Sequence, residues 1–123
     1  MRLTSSMVAS ALAGLMLSAC GGSQESNAAE ASTGAELAQY EGPIASTDVE
    51  RGKELFSAHC DDCHPGGEED VGPSLIADPH PPGYIRKQIR AGSGKLRPFP
   101  EKRLSDQDME TILAWMASVN AVK

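Results

Sequence analysis

The chain has 123 residues, at most one domain, with 40% hydrophobic and 23% charged residues, an ordinary composition for a globular protein. Its 11 basic and 17 acidic side chains give a formal charge of −6, which argues against nucleic-acid binding because such proteins neutralise phosphates. No apolar run approaches the roughly 20 residues of a membrane-spanning helix, so a polytopic membrane protein is excluded. The chain has three cysteines, Cys20, Cys60 and Cys63, and an odd number does not suit a domain held together by disulfides.

Residues 1–19 are predicted to be a secretory signal. Arg2 is followed by an apolar stretch from Met7 to Leu17, and small residues then lead to Cys20. The ending Leu17-Ser18-Ala19-Cys20 resembles the bacterial lipobox, which implies cleavage before Cys20 and acylation of its sulfur and amine. Several acyl chains anchor a protein stably to a membrane. Ordinary secretion, with Cys20 in the cleavage region by chance, is the alternative.

The segment after the cleavage site is predicted to be a lipidated, disordered tether over residues 20–46. It is made mainly of Gly, Ser, Ala and Glu, has no basic residue, and cannot bury enough apolar surface to offset its ordering entropy.

The remaining residues, 47–123, form a small domain. At that size the apolar core is thin, and a large apolar cofactor would supply part of it.

The domain is predicted to be all-α, with three to four helices and long loops rich in Pro and Gly. A capping box at Thr47-Asp48-Val49-Glu50, with the Thr47 hydroxyl as the cap, starts a helix from about Asp48 to His59. A short helix is expected from about Gly83 to Ala91. A third begins at Ser105, and its apolar face has helical spacing: Met109, Ile112, Leu113 and Met116.

The pentapeptide Cys60-Asp61-Asp62-Cys63-His64 is the most informative feature, because Cys-x-x-Cys-His is the attachment sequence for c-type haem. Two thiols at this spacing reach two vinyl groups of one porphyrin, and the imidazole of His64 can bind iron as the proximal ligand. A thioredoxin-like redox pair would need a βαβ context, which is absent. A zinc site would need a further pair of ligands, and only His59 and His80 are left.

Four further segments lie around this motif: Gly52-x-x-x-Phe56, Gly72-Pro73-Ser74-Leu75, Tyr84 to Gly92, and Ile112-x-x-Trp115. Together with the motif they resemble the small monohaem class I cytochromes c, over nearly all of residues 47–123. The resemblance implies helices wrapped around one covalent haem c with its iron, and a Pro73 carbonyl that accepts the proximal imidazole N–H. It also implies a set of haem-contacting side chains: Phe56, Leu75, Leu96 and Phe99.

The sequence departs from this family at the iron's sixth ligand. The family has Met-Pro in the loop after the middle helix, whereas this chain has Leu96-Arg97-Pro98, with Leu96 the better match to the Met. Leucine cannot coordinate iron, and a guanidinium has no lone pair to offer. Met109, Met116 and His80 are the other candidates. The alternative for both methionines is core packing, and His80 is expected on an exposed loop.

Charge is divided along the chain. Residues Asp48 to Asp78 hold nine acids and two bases, whereas Pro79 to Arg103 hold seven bases and one acid. The basic set would guide docking to a redox partner, unless it is only a solvated face. Its members are Arg86, Lys87, Arg90, Lys95, Arg97, Lys102 and Arg103.

The sequence as a whole predicts a monomeric electron-transfer protein rather than an enzyme, anchored by lipid at the periplasmic face of the inner or outer bacterial membrane. It would carry single electrons between respiratory redox proteins. The alternative is a haem-based gas-binding or sensing module, or a weak peroxidase, with an open sixth position at the iron.

Overall fold

The computed structural model describes residues 35–123, which are helical and contain no β-strand. Helix α1 spans Val49–His59, α2 spans Pro82–Ala91 and α3 spans Asp106–Ser118, with a short 3-10 helix at Pro65–Gly67. The predicted all-α fold is confirmed. The predicted signal, Cys20 and the first part of the tether lie outside the described residues. Within residues 35–123, no helix is long and apolar enough to cross a membrane.

Helices α1 and α3 cross at Gly52. A Cβ at Gly52 would lie 2.2 Å from the Thr111 carbonyl oxygen and 2.8 Å from the Trp115 Cβ, so any other residue would push the helices apart. One turn along α1, the ring of Phe56 packs on Trp115 with 4.3 Å between ring centroids. The predicted apolar face of α3 is confirmed, since Met109, Ile112, Leu113 and Met116 are each at most 4% exposed.

The start of α1 differs from the prediction in one detail. The side chain of Asp48, rather than the hydroxyl of Thr47, caps the helix by accepting the Arg51 backbone N–H at 3.0 Å. The helix begins one residue later than predicted, so Asp48 occupies the cap position, for which Asp is as suitable as Ser or Thr. At α3 the predicted cap is present, because the Ser105 hydroxyl accepts the Asp108 N–H at 3.0 Å.

Helix α2 is bounded by proline and glycine. Pro82 occupies its first turn, and Gly92 ends it with φ of 73°. The chain then closes a tight turn in which Ser93 and Leu96 exchange backbone hydrogen bonds of 3.0 and 2.9 Å. A Cβ at Gly92 would lie 2.6 Å from the Leu96 carbonyl oxygen, so this turn requires glycine.

Residues 40–45 pack against the domain as an ordered segment, here called the strap, so the predicted tether of residues 20–46 does not extend as disorder to residue 46. The guanidinium of Arg86 donates to the carbonyls of Tyr40, Gly42 and Pro43 at 2.7, 3.0 and 2.9 Å. Arg86 is only 6% exposed, and a buried guanidinium needs acceptors for its donors. The strap carbonyls supply them, a long-range pairing that composition does not reveal.

The carboxylate of Glu110 on α3 completes this attachment. It accepts from Arg86 at 2.6 and 2.9 Å and from the Ala45 backbone N–H at 2.8 Å. Burial acts to raise the pKa of Glu110, but the hydrogen bonds from Arg86 and Ala45 and the charge of Arg86 together lower that pKa below its ordinary value. The hydrogen bond to Glu110 in turn raises the pKa of Arg86.

The first prediction concerns this ion pair, whose side chains are 7% and 14% exposed. Arg86→Met should lower the free energy of unfolding of the haem-loaded protein by about 3 kcal/mol, because it leaves the Glu110 carboxylate buried without its partner. Urea denaturation measures the loss, and chymotrypsin should cleave faster after Tyr40. Arg51→Met is the control, since the Arg51–Glu54 pair is 55% and 70% exposed.

The same pair predicts a dependence on pH. Because the pKa of Glu110 is lower in the folded protein than the unfolded value of about 4.3, the pair contributes fully above that value. Its contribution is lost as the pH falls through the folded-state pKa. The difference in stability between Arg86→Met and the unchanged protein should therefore shrink in acid. A difference that is small at pH 7 or constant down to acid pH would contradict the role given to the pair.

Candidate functional site

The haem-attachment motif forms one turn at the end of α1. The helix closes with a 2.7 Å hydrogen bond from the Cys60 N–H to the Phe56 carbonyl. The N–H groups of Cys63 and His64 then both donate to the Cys60 carbonyl, at 3.1 and 2.9 Å. The structure therefore brings the two cysteines and the histidine together on a single local turn, as their spacing predicts.

A residue between the two cysteines helps to hold this turn. The Asp61 carboxylate accepts the Gly66 N–H at 2.7 Å, and the Gly67 N–H donates to the His64 carbonyl at 2.8 Å. Gly66 and Gly67 have φ of 61° and 89°, in the left-handed region that glycine adopts without strain. The chain therefore reverses direction directly after His64.

The imidazole of His64 is fixed by the loop at residues 72–73. Its Nδ1 lies 2.8 Å from the Pro73 carbonyl oxygen. A carbonyl only accepts, so Nδ1 carries a proton and donates, which leaves Nε2 as the nitrogen that offers a lone pair in the neutral ring. The Gly72 N–H holds this loop to the Cys63 carbonyl at 2.9 Å. A Cβ at Gly72 would lie 2.2 Å from Cε1 of His64, so glycine leaves the space that the ring occupies.

The two cysteines differ in exposure, with Cys60 half-buried and Cys63 exposed. Burial, followed by the charges of Asp61 and Cys63, raises the pKa of Cys60 to about 12. A thioredoxin-like pair needs a thiol with a lowered pKa, so this arrangement does not favour thiol–disulfide exchange.

The donor set and its surroundings fit a covalently bound haem. Two thiols and an imidazole nitrogen with an available lone pair share one turn. Half-buried apolar side chains pack against the edge of the core, and among them are Leu75, Ile76, Ile89 and Leu96. Within the described residues, no group of three or more His, Cys, Asp or Glu side chains is arranged to hold a metal ion.

A family model described as cytochrome c oxidase, cbb3-type, subunit III matches residues 47–116. The chain belongs to this family. No curated protein and no solved structure matched the chain. The family is one of small c-type cytochrome domains, so the chain carries covalent haem c with its iron and fits an electron-transfer protein that works with redox partners. Cytochrome c domains of the cbb3 type are typically extracytoplasmic.

The structure connects the four predicted haem-contacting side chains to the buried core. Phe56 is 2% exposed and Phe99 is 7% exposed, and both belong to the buried cluster. Leu75 packs against that cluster, and its N–H donates to the Gly67 carbonyl at 2.8 Å. Leu96 also packs there, at the end of the tight turn after α2.

The candidates for a sixth ligand lie in different surroundings. Met109 and Met116 are each 4% exposed within the core, which favours the packing role for both. His80 stacks on Tyr84 with 4.2 Å between ring centroids, and its Nε2 lies 3.4 Å from the Asp78 carboxylate. His59, the remaining histidine, packs edge-on against Phe99 at 6.1 Å.

The predicted basic docking set is divided by the structure. Arg86 is buried in the strap contact, and Arg90 donates at 2.8 Å to both the Phe99 and Leu104 carbonyls and pairs with Asp106, so neither guanidinium is free to guide docking. Lys87 pairs with Glu36 at 3.2 Å. The exposed members form what is here called the basic loop: Lys95, Arg97, Lys102 and Arg103.

Arg90 belongs to the predicted docking set, but in the structure its guanidinium holds the loop after α2. Arg90 follows Arg86 by one helical turn, and this i, i+4 spacing next to the apolar positions Ile85 and Ile89 is the sequence signal that both arginines lie against the domain. The Phe99 N–H bonds to the Ile89 carbonyl at 2.8 Å, so Arg90 and Ile89 together hold the loop after α2. Only the folded chain shows these pairings.

The second prediction tests the imidazole position. Gly72→Ala should displace the His64 ring, because the new Cβ would lie 2.2 Å from Cε1, and should weaken its bond to Pro73. We expect a lower yield of haem-loaded protein and an altered ferric absorption spectrum, measured after co-expression with haem-attachment enzymes. Val71→Ala is the control because Val71 is 51% exposed. An unchanged spectrum in Gly72→Ala would contradict the prediction, because it would show that the alanine side chain does not displace the His64 ring.

Proposed function

We propose that this cytochrome is periplasmic, anchored to the membrane by lipid, and carries single electrons between respiratory redox proteins. The observation that carries the proposal is the His64 imidazole, held by Pro73 with its Nε2 lone pair available, on the turn that also presents Cys60 and Cys63. In this assignment Cys60 and Cys63 hold the haem and His64 is the proximal iron ligand. When bound, the haem c supplies an iron that changes between the ferric and ferrous states.

The residues around this site act by orientation and by excluding water. The Pro73 carbonyl fixes the His64 ring and makes it a more basic ligand, which is the usual effect of such a hydrogen bond. The core side chains, with Phe56 on Trp115 at 4.3 Å, form a rigid apolar wall. A rigid wall limits the rearrangement that accompanies each electron transfer, and burial contributes to the reduction potential.

The N-terminal part supports a position at the membrane. In the proposed organisation, residues 1–19 are the signal, Cys20 carries the lipid and the following residues connect it to the domain. Because Arg86 binds the strap at residues 40–45, the connecting segment ends at the strap rather than at residue 46. Export to the periplasm agrees with covalent haem attachment and with the extracytoplasmic location typical of cbb3-type domains.

The basic loop indicates the kind of partner. Its four exposed cations, Lys95, Arg97, Lys102 and Arg103, lie in the segment that also contains Leu96 and Phe99, which are proposed to contact the haem. The Arg103 guanidinium lies 4.3 Å from the centre of the Phe99 ring. A redox protein with an acidic face would dock here through weak, salt-sensitive attraction, which suits a carrier that must release its partner quickly.

The third prediction tests this function with the full-length, lipidated protein in right-side-out membrane vesicles. Adding a quinol should reduce its haem, and raising the salt concentration should slow the reduction. Changing Lys95, Arg97 and Lys102 to Glu should slow it by roughly tenfold or more at low salt. The control changes Arg51, Lys53 and Lys123 to Glu, since these residues are also exposed and the charge difference is the same.

Two outcomes would contradict the proposal. The first is a haem that dithionite reduces but no quinol-linked donor reduces. The second is equal slowing in the two triple variants, which would exclude the basic loop as the docking surface.

Cys20→Ser tests the anchor separately, because it should move the protein from the membrane to the soluble fraction. If Cys20→Ser stays in the membrane fraction, lipid attachment at Cys20 is wrong.

A second function, binding of small gaseous ligands or weak peroxidase activity, is favoured by one observation. Leu96 stands where the family has its ligating Met, and both methionines of α3 are in the core at 4% exposure. If no side chain ligates the iron opposite His64, the sixth position is accessible to small molecules. The reduced protein would then bind CO at neutral pH.

The fourth prediction addresses that position directly. Leu96→Met should create a sixth ligand, raise the reduction potential and suppress CO binding, because a thioether stabilises ferrous iron. Leu and Met are similar in volume, so the cost in stability should stay below about 1.5 kcal/mol. The charge-transfer band of ferric iron bonded to sulfur should appear in the mutant alone. If the unchanged protein already shows that band, Met109 or Met116 reaches the iron.

A further inference from the structure

The strap contacts α2 and α3 at the same time. Its carbonyls at residues 40, 42 and 43 accept hydrogen bonds from Arg86 on α2, and the Ala45 N–H donates to Glu110 on α3 at 2.8 Å. The other two N–H groups of the Arg86 guanidinium donate to Glu110, so every donor of this side chain is used inside the contact. The strap therefore covers the point at which α2 is joined to α3.

A carboxylate of the strap also reaches the beginning of α2. A Cβ at Gly83, in the first turn of this helix, would lie 2.6 Å from Oε1 of Glu41, so the glycine leaves room for that carboxylate. The helix has no capping side chain and no acidic residue in its own first turn. A negative charge near the N-terminal end of a helix is favourable, and here the strap supplies it.

The two helices are joined a second time, one turn further along α2. Arg86 pairs with Glu110, and Arg90 pairs with Asp106. The strap shields the first pair, in which the Glu110 side chain is 14% exposed, whereas the Asp106 side chain of the second pair is 71% exposed. An ion pair exposed to water contributes far less than one that is shielded from it. Loss of the strap would therefore weaken the attachment of α2 to α3.

Helix α2 in turn holds the loop that follows it. The Phe99 N–H donates to the Ile89 carbonyl at 2.8 Å, and the Arg90 guanidinium donates to the carbonyls of Phe99 and Leu104, each at 2.8 Å. Three of the four members of the basic loop lie beside or between these attached residues: Arg97, Lys102 and Arg103. The position of most of the basic loop therefore depends on the position of α2.

We propose that the strap is a latch that holds the basic loop in its docking position through α2. When the strap detaches, α2 and the loop loosen together while the crossing of α1 and α3 stays folded. The strap meets the apolar core through the half-buried Ile44 and is otherwise held by hydrogen bonds and charge, and segments of this kind open locally before the core does. The inference rests on the proposed function for the role of the basic loop, and it makes docking depend on the strap.

Gly42 allows the latch to be tested without removing any of its contacts. Its φ is 130°, a value that residues with a side chain adopt only with strain. A Cβ at this position would meet no atom within 4 Å, so Gly42→Ala adds backbone strain and no clash. Position 42 contributes only its carbonyl to Arg86, and alanine keeps that carbonyl. The strain should shift the balance towards the detached strap by about tenfold.

The experiment measures native-state hydrogen exchange at three amides of the haem-loaded protein: Ala45 in the strap, Phe99 in the loop and Cys60 at the end of α1. Gly42→Ala should speed exchange at Ala45 and Phe99 by about tenfold, because both open through the same detached state, and should leave Cys60 unchanged. Ala38→Ser is the control, since it changes an exposed side chain that precedes the strap and should alter none of the three amides.

A second measurement follows the docking surface itself. In the membrane vesicles of the third prediction, Gly42→Ala should slow reduction by quinol at low salt by roughly threefold, and Ala38→Ser should not, because a loosened loop presents its charges less often in the arrangement that the partner binds. Unchanged reduction in Gly42→Ala, despite faster exchange at Phe99, would overturn the dependence of docking on the strap.

The exchange data also decide the latch independently of electron transfer. Faster exchange at Ala45 alone would overturn it, and so would equal acceleration at all three amides, which is a loss of global stability. If Gly42→Ala does not fold or leaves Ala45 unchanged, Ile44→Ala replaces it by removing the apolar contact of the strap. An Ala45 amide that then still exchanges only with Cys60 would exclude a separate latch. If no quinol reduces the unchanged protein, the proposed function fails and the exchange result still stands.

Discussion

The close contact of α1 and α3 at Gly52 is the constraint on which the rest of the structure depends. With 2.2 Å between a Cβ at this position and the Thr111 carbonyl oxygen, only glycine allows the two backbones to cross at this distance. The crossing brings Phe56 onto Trp115 and fixes the direction in which α1 ends. Because Cys60 closes that helix through the Phe56 carbonyl, the helix crossing also sets where the haem-attachment turn begins.

Several features could be predicted from the sequence because short-range rules govern them. Ser105 caps α3, Gly92 ends α2, and the apolar spacing of Met109 to Met116 identifies the buried face, since each depends on residues within a few positions along the chain. The Cys-x-x-Cys-His turn belongs to the same class. The contact of Pro73 with His64 was predicted in a different way, from resemblance to a family. The cap of α1 was assigned to Thr47 rather than Asp48 because two adjacent residues can both fill that role.

The features that could not be predicted depend on pairing between distant residues. Nothing in the composition of residues 40–45 shows that their carbonyls satisfy a buried guanidinium, because every segment has carbonyls and only the position of Arg86 selects these. The same difficulty applies to Arg90, which belongs to the predicted docking set. Its acceptors at Phe99 and Leu104 are backbone oxygens, which leave no trace in the sequence.

The backbone pairings of Ile89 and Arg90 also hold the loop after α2, which contains no methionine. In the family that the chain resembles, a bond from the loop Met to iron ties this loop to the haem. Here the loop is fastened to α2 by hydrogen bonds from the Phe99 N–H to the Ile89 carbonyl and from the Arg90 guanidinium to the carbonyls of Phe99 and Leu104. Arg103 adds its stack on Phe99. Because these hydrogen bonds come from the protein itself, the position of the basic loop does not require a bond between this segment and the iron, and a non-coordinating Leu96 leaves the segment in place.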